Sequence, residues 1–123
     1  QDVAERILQS LDGILVGHSV GYDYAFLKRY YKSIGIKLKR DYIDIAVVER
    51  WLDEQCGRIN SNMAFEAILE RYGLKAFHRH HALADAFFAA QVFQMQLAKI
   101  LQLGVESTEG LIKTINRCVY AIW

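Results

Sequence analysis

His78-Arg79-His80-His81-Ala82-Leu83-Ala84-Asp85-Ala86-Phe87-Phe88-Ala89-Ala90 is the stretch that says most about the fold of this chain. Asp85 is the only charged side chain in its apolar part, and an unpaired buried carboxylate either costs several kcal/mol or takes up a proton. We therefore expect a metal ion, an arginine or a histidine beside it. His80 precedes the predicted start of a helix, so its imidazole and the Asp85 carboxylate can face one cleft.

Apolar periodicity and glycine breaks divide the chain into helices separated by short strands. The predicted strands are 14–16 and 42–45. The predicted helices are 2–11, 20–34, one from the second strand to about Glu54, one capped by Asn62 and ending near Gly73, 82–103, and one from Ser107 or Thr108 to near Trp123. This βαβα order predicts a helix-rich α/β fold.

Aromatic and aliphatic residues at helical spacing are predicted to lie in the core. In the second helix these are Phe26, Leu27, Tyr30, Tyr31 and Ile34; in the long helix they are Phe87, Phe88 and Phe93; Trp51 and Trp123 are further packing residues.

Two motifs in order resemble those of a known enzyme family. His80-His81-Ala82-Leu83-Ala84-Asp85-Ala86 reads H-x-A-L-x-D-A and resembles the third motif of the DEDDh 3′→5′ exonucleases, the proofreading type with an RNase H-like fold, similar to the epsilon subunit of DNA polymerase III. Leu15-Val16-Gly17-His18-Ser19-Val20-Gly21-Tyr22-Asp23 resembles its second motif, an apolar strand followed by His-Asn, two residues and aromatic-Asp. The residues 69–74 resemble the helix before the third motif, so the matches span most of residues 2 to 95.

The resemblance implies one partial exonuclease domain over 1–123, with a family-like core over 1–103 and a C-terminal helix over 104–123. It implies that Asp23 and Asp85 are metal-site carboxylates for Mg²⁺ or Mn²⁺ and that His80 is the general base. His18 and Ser19 would contact the terminal nucleotide of a DNA or RNA 3′ end. Two-metal hydrolysis would then release nucleoside monophosphates one at a time.

The chain departs from the family at its start. The family has an Asp-x-Glu motif on its first strand, and no Asp-x-Glu precedes the strand at 14–16 here. The chain therefore resembles the part of the fold that follows the first three strands, and we expect little or no activity from it alone. An N-terminal segment or another chain would supply the first motif, and the uncovered strand edge predicts a homo-oligomer. Ser19 stands where the family usually has Asn.

Other interpretations of the same residues remain open. Asp23 lies in the first turn of a helix, where a carboxylate is favourable next to the helix dipole, although its spacing turns it toward the buried side. The histidines could form a solvated loop. They could also bind zinc, which would make the chain a small zinc-dependent helical domain, although no cysteine lies near them. The chain could also be a non-catalytic remnant used for binding or assembly.

Composition limits these possibilities. No apolar run approaches the roughly 18 residues that a membrane helix needs, and the first residues lack a signal-peptide pattern. Cys56 and Cys118 are isolated, which predicts reduced thiols in a cytoplasmic protein. The net charge is +1, but residues 28–40 hold six basic and no acidic residues. That segment is either a phosphate-binding stripe or the solvated face of a helix.

Overall fold

A computed structural model describes residues 2–75 and 81–122 of the chain, with side chains through residue 115. His80 therefore lies outside the described residues. The elements in chain order are α1 (Val3–Ser10), β1 (Leu15–Gly17), α2 (Val20–Ser33), β2 (Tyr42–Asp44), α3 (Ile45–Gln55), α4 (Phe65–Arg71), α5 (Ala82–Gln102) and α6 (Thr108–Ile122).

The sheet is a short parallel pair in which Val16 of β1 lies beside Ile43 of β2. Parallel strands need a long crossover, and α2 makes it, contacting both strands. Helix α3 begins directly after β2, where the Asp44 side chain accepts a hydrogen bond from the Ala46 N–H at 2.9 Å. The prediction of a helix-rich α/β fold is confirmed, and the elements follow the predicted order.

Three apolar clusters hold these elements together. The first joins β2, α3, α5 and α6 through Ile43, Val48, Ile100 and Ile115, with Trp51 packed against it. The second joins α3, α4 and α5, and the third joins α1 to α2 and the segment after it. Val16 packs against the first two clusters, so the short strand lies at their junction.

The core assignment within α2 was partly wrong. Tyr31 is buried and Leu27 is half-buried, as predicted, but Phe26, Tyr30 and Ile34 are exposed. Adjacent residues on a helix point about 100° apart, so the row 26–30–34 turns away from the core that the row 27–31 faces. The sequence pattern allowed both rows to be read as one apolar face.

Two smaller predictions also need correction. Phe87 of α5 is exposed, whereas Phe88 and Phe93 are half-buried against the second cluster. Asn62 is not the N-cap of α4, because Ala64 occupies that position; the Asn62 side chain instead accepts a hydrogen bond from the Ala64 N–H at 2.9 Å, which closes a turn just before the helix. Within the described ranges, no helix combines the length and apolar character needed to cross a bilayer.

A buried polar network, which sequence reasoning missed, connects α3 with α4. Glu49 and Asp53 lie one turn apart on α3 and are both buried. Arg71 donates to both Asp53 oxygens, at 3.0 and 2.7 Å, and to Glu49 at 2.7 Å. One guanidinium therefore satisfies two buried carboxylates in a geometry that lysine could not provide.

The network extends to α5 through Glu49. The Tyr72 hydroxyl donates to Glu49 at 2.5 Å, and the fully buried Gln96 amide of α5 donates to Glu49 at 3.1 Å and to the Ile45 carbonyl at 3.0 Å. Burial, followed by the bond to Glu49, raises the pKa of Tyr72 above its ordinary value. Three helices thus meet at one set of hydrogen bonds.

We predict that Asp53→Asn lowers the free energy of unfolding at pH 7 by about 2–4 kcal/mol, because Arg71 then loses a buried charged partner. The hydrogen bond from Arg71 holds the pKa of Asp53 below its ordinary value. This stabilisation is therefore present above the unfolded pKa of about 3.9 and is lost as the pH falls through the lower folded pKa.

Urea unfolding of the wild type and Asp53→Asn from pH 7 downward measures the effect, with the exposed Asp12→Asn as a matched control. A difference that stays constant from pH 7 to well below the ordinary Asp pKa would contradict the assignment of this stability to an ionised Asp53.

Candidate functional site

A cleft of about 780 Å³ opens where β1, α2, α4 and α5 meet. The polar side chains on its wall are His18, Asp23, Glu66 and Asp85. Its apolar lining includes Val16, Leu27, Phe65 and Ala89. A wall of this kind combines a shaped apolar surface with a few polar groups, which is typical of a ligand site.

Asp23 and Asp85 reach the cleft from two different elements. Asp23 is in the first turn of α2, just after the strand β1, and Asp85 is in the first turn of α5. Asp85 is half-buried, whereas Asp23 is exposed and does not lean into the core as its spacing predicted. The two carboxylates nevertheless line the same cleft, although 61 residues separate them in the chain. Their role as metal ligands stays a prediction.

The entrance of α5 is fixed by a residue of the histidine cluster. His81 is the N-cap of α5, and its Nδ1 accepts a hydrogen bond from the Ala84 N–H at 3.3 Å. The Asp85 N–H donates to the His81 carbonyl at 2.9 Å. His81 thus shapes the helix turn that carries Asp85, a structural role that the sequence did not suggest.

His18 connects β1 to the segment before α4. Its Nε2 lies 2.8 Å from the Met63 carbonyl, and because a carbonyl can only accept, Nε2 carries a proton. Its Nδ1 lies 3.4 Å from the Ser19 hydroxyl, and its ring packs against Phe65. His18 lines the cleft, but its described hydrogen bonds hold two chain segments together, so contact with a nucleotide stays a prediction.

Ser19 occupies a left-handed backbone conformation, with φ of 57° and ψ of 31°. It is the N-cap of α2, yet its side chain makes no capping hydrogen bond there. Asn tolerates this conformation better than Ser does, because its side chain can bond the local backbone. The departure from the family pattern at this position therefore has a local cost, and it adds to the shorter reach of serine.

Glu66 is a cleft residue in the first turn of α4 that the sequence analysis did not single out. No signal separated it from an ordinary first-turn acid, because its place on the cleft depends on how α4 packs. Across residues 2–75 and 81–122, no three carboxylate, imidazole or thiol groups lie close enough together to hold a metal ion. The oxygen donors of Asp23 and Asp85 fit a hard cation in type, but two carboxylates are fewer ligands than such an ion takes from a full site.

Comparison with known families decides what this cleft is related to. The model of the RNase T family, described as an exonuclease, matches residues 1–93. The chain belongs to this exonuclease family. The prediction of family membership, made from the second and third motifs, is confirmed.

Curated relatives are proteins named DNA polymerase III PolC-type. The protein of Thermotoga petrophila is 30% identical over 121 residues, covering 94% of this chain and 8% of that protein. The protein of Thermotoga maritima is 30% identical over 103 residues, covering 83% and 7%. That of Caldanaerobacter subterraneus subsp. tengcongensis is 26% identical over 112 residues, covering 90% and 8%. The chain thus spans less than a tenth of these relatives, and no solved structure matches it.

We predict that Ser19→Asn raises the free energy of unfolding by about 0.5–1 kcal/mol, since Asn relieves part of the left-handed strain. The reciprocal control is Asn60, which has a φ of 60°, so Asn60→Ser is expected to lower the free energy by a similar amount. Urea titrations of both variants measure the two changes. A loss of stability in Ser19→Asn would show that the hydroxyl contact with His18 outweighs the backbone strain.

Proposed function

We propose that this chain is part of a metal-dependent 3′→5′ exonuclease that releases nucleoside monophosphates from a DNA or RNA 3′ end. The observation that carries this proposal is the shared cleft of Asp23 and Asp85 in a chain of the exonuclease family. The two residues come from the two motifs on which the resemblance rests. Their convergence is what a hydrolytic site built from both motifs requires.

Asp23 and Asp85 would hold the metal, because Mg²⁺ and Mn²⁺ prefer carboxylate oxygens. The ions, when bound, would supply charge stabilisation on the phosphate and a more acidic water. His80 would take the proton from the attacking water, since imidazole is the side chain whose ordinary pKa lies near neutrality. His18 and Ser19 would contact the terminal nucleotide from the rim that β1 and α2 form.

The remaining carboxylates of the family would come from a segment that carries the Asp-x-Glu motif. In residues 2–75 and 81–122, β2 is the only strand paired with β1, so the other edge of β1 is where such a strand would add. A groove of about 390 Å³ is lined by Ile14 and Val16 together with Leu97 and Leu101 of α5. An apolar strand would cover this groove and bring its own carboxylates toward the cleft.

The same proposal includes the organisation of the chain. Residues 1–103 would be the family-like core and 104–123 a C-terminal helix, whose Leu111 and Ile115 pack into the first cluster. The exposed free thiol of Cys56 accords with a reducing, cytoplasmic location.

We predict that the chain alone removes few or no nucleotides from a 3′-labelled oligonucleotide in the presence of Mn²⁺. A fusion that places the family's Asp-x-Glu strand segment before Gln1 is expected to release single nucleotides, and EDTA is expected to stop the reaction. Asp85→Asn in the fusion should lower the rate by about 100-fold or more, because charge stabilisation by the metal contributes several kcal/mol.

The exposed Asp12→Asn is the control and should leave the rate unchanged. Strong activity of the unfused chain that disappears in Asp85→Asn would contradict the need for a further segment. A folded fusion that binds the oligonucleotide but releases nothing would instead favour the non-catalytic binding or assembly module.

We also predict that the chain alone forms a homodimer or higher oligomer, because a second copy can pair the edge of β1 that β2 does not occupy and can cover the apolar groove lined by Val16 and Leu101. Sedimentation equilibrium should give a mass above the 14.2 kDa of one chain. Leu101→Glu, at the groove and 59% exposed, should shift the equilibrium toward monomer, whereas Ile59→Glu, in a loop and 77% exposed, should not. A monomer at micromolar concentration would contradict the prediction.

A further inference from the structure

Helix α2 displays a row of exposed rings beside the cleft. Tyr22, Phe26 and Tyr30 are spaced by four residues and are 66%, 63% and 45% exposed. At a rise of about 1.5 Å per residue, successive positions in this row lie about 6 Å apart along the helix. This exceeds the roughly 3.4 Å between successive nucleotides along a duplex strand, so the spacing suits an extended single strand.

The row lies between two chemically different sides of α2. At about 100° per residue, the side chains on one flank of the row are Asp23 and Leu27, which line the cleft. Those on the other flank are Arg29 and Lys32, which are exposed. A ligand lying on the rings would therefore have the cleft on one side and positive charge on the other.

The ring of Tyr30 packs against a buried neighbouring ring. It lies edge-on to the Tyr31 ring, with centroids 5.4 Å apart. Tyr31 is buried, and its hydroxyl donates to the Ala4 carbonyl of α1 at 2.5 Å. A base that stacks on Tyr30 would thus meet a ring whose place is already set, which lowers the entropy cost of binding.

The charge distribution favours a polyanion on this face. Six of the fifteen Lys and Arg residues lie in 28–40, a segment without an acidic residue, although the chain as a whole is close to neutral. Exposed rings alone would also suit an apolar protein partner. Rings flanked by exposed basic side chains, in a segment whose sequence has no acidic residue, suit a ligand that has both planar faces and phosphates.

We propose that single-stranded nucleic acid binds along α2, with bases stacked on Tyr22, Phe26 and Tyr30, phosphates facing Arg29 and Lys32, and the 3′ end directed into the cleft beside Asp23. This inference rests on the proposed exonuclease function and adds the path by which the strand reaches the cleft. Stacking is tolerant of sequence because every base has a π-face, so binding should depend weakly on base identity.

Fluorescence anisotropy with a labelled single-stranded DNA oligomer in EDTA tests the path without hydrolysis. Phe26→Ala and Tyr30→Ala should each weaken binding by about 5- to 150-fold, the range for losing one base–ring stack. Phe26→Tyr should retain the affinity, whereas Phe26→Leu, which keeps apolar area without a ring, should not. Arg29→Gln should lower the slope of log affinity against log salt by about 0.7, the value for one phosphate contact on a single strand.

The matched controls are Phe87→Ala, an exposed ring on α5, and Lys113→Gln, an exposed cation on α6; both should leave the affinity unchanged. An abasic oligomer of equal length should bind more weakly than the normal one. Equal binding of both oligomers, or an unchanged affinity in Phe26→Leu, would overturn the inference. A Phe26→Ala variant that alters the sedimentation mass but not the affinity for the strand would also overturn it. If Asp85→Asn stops nucleotide release but still binds the strand, the proposed path along α2 stands. If the α2 variants bind the strand as tightly as the wild type and nucleotides are still released, the path is rejected and the exonuclease function is not.

Discussion

The bidentate contact of Arg71 with Asp53, shared with Glu49, is the interaction on which the arrangement of the helices depends. Two buried carboxylates on one face of α3 would repel each other and lose hydration without a cation between them. Arg71 ends α4, and Glu49 is also bonded to Tyr72 and to Gln96 of α5. The network thus fixes α4 and α5 on α3, and these two helices form one wall of the cleft.

The opposite wall depends on the short strand β1 and the turn after it. His18 bonds to the Met63 carbonyl, so the turn that precedes α2 is held against the segment that precedes α4. Asp23 comes shortly after His18 in the chain, and Phe65 and Glu66 come shortly after Met63. The two carboxylates of the family motifs are therefore positioned by two different sets of contacts. The polar network between α3, α4 and α5 fixes the wall of Asp85, and the His18–Met63 contact, at the cleft itself, fixes the wall of Asp23.

Much of the fold could be predicted from the sequence because its signals are local. Gly35 and Gly104 follow helices in left-handed conformations, and the short apolar run at 14–16 predicted the parallel strand β1. The shared cleft of Asp23 and Asp85 was predictable from two ordered motifs. The polar network was not, although Glu49 shares a helix face with Ile45 and Leu52, because its partner Arg71 is 22 residues away and only packing brings it near. The exposed row 26–30–34 of α2 was wrongly assigned to the core because the adjacent row 27–31, which does face the core, has the same four-residue spacing.

We propose above all that Asp23 and Asp85 hold one metal site. Titration of the isotope-labelled chain with Mn²⁺, followed by NMR, tests it most directly, because the ion broadens the signals of nuclei close to it. If they do, the amide signals beside Asp23 and beside Asp85 will broaden together at the same Mn²⁺ concentration, and Asp85→Asn will weaken both effects. Broadening at only one of the two positions, or broadening at Asp23 that is unaffected by Asp85→Asn, would contradict it.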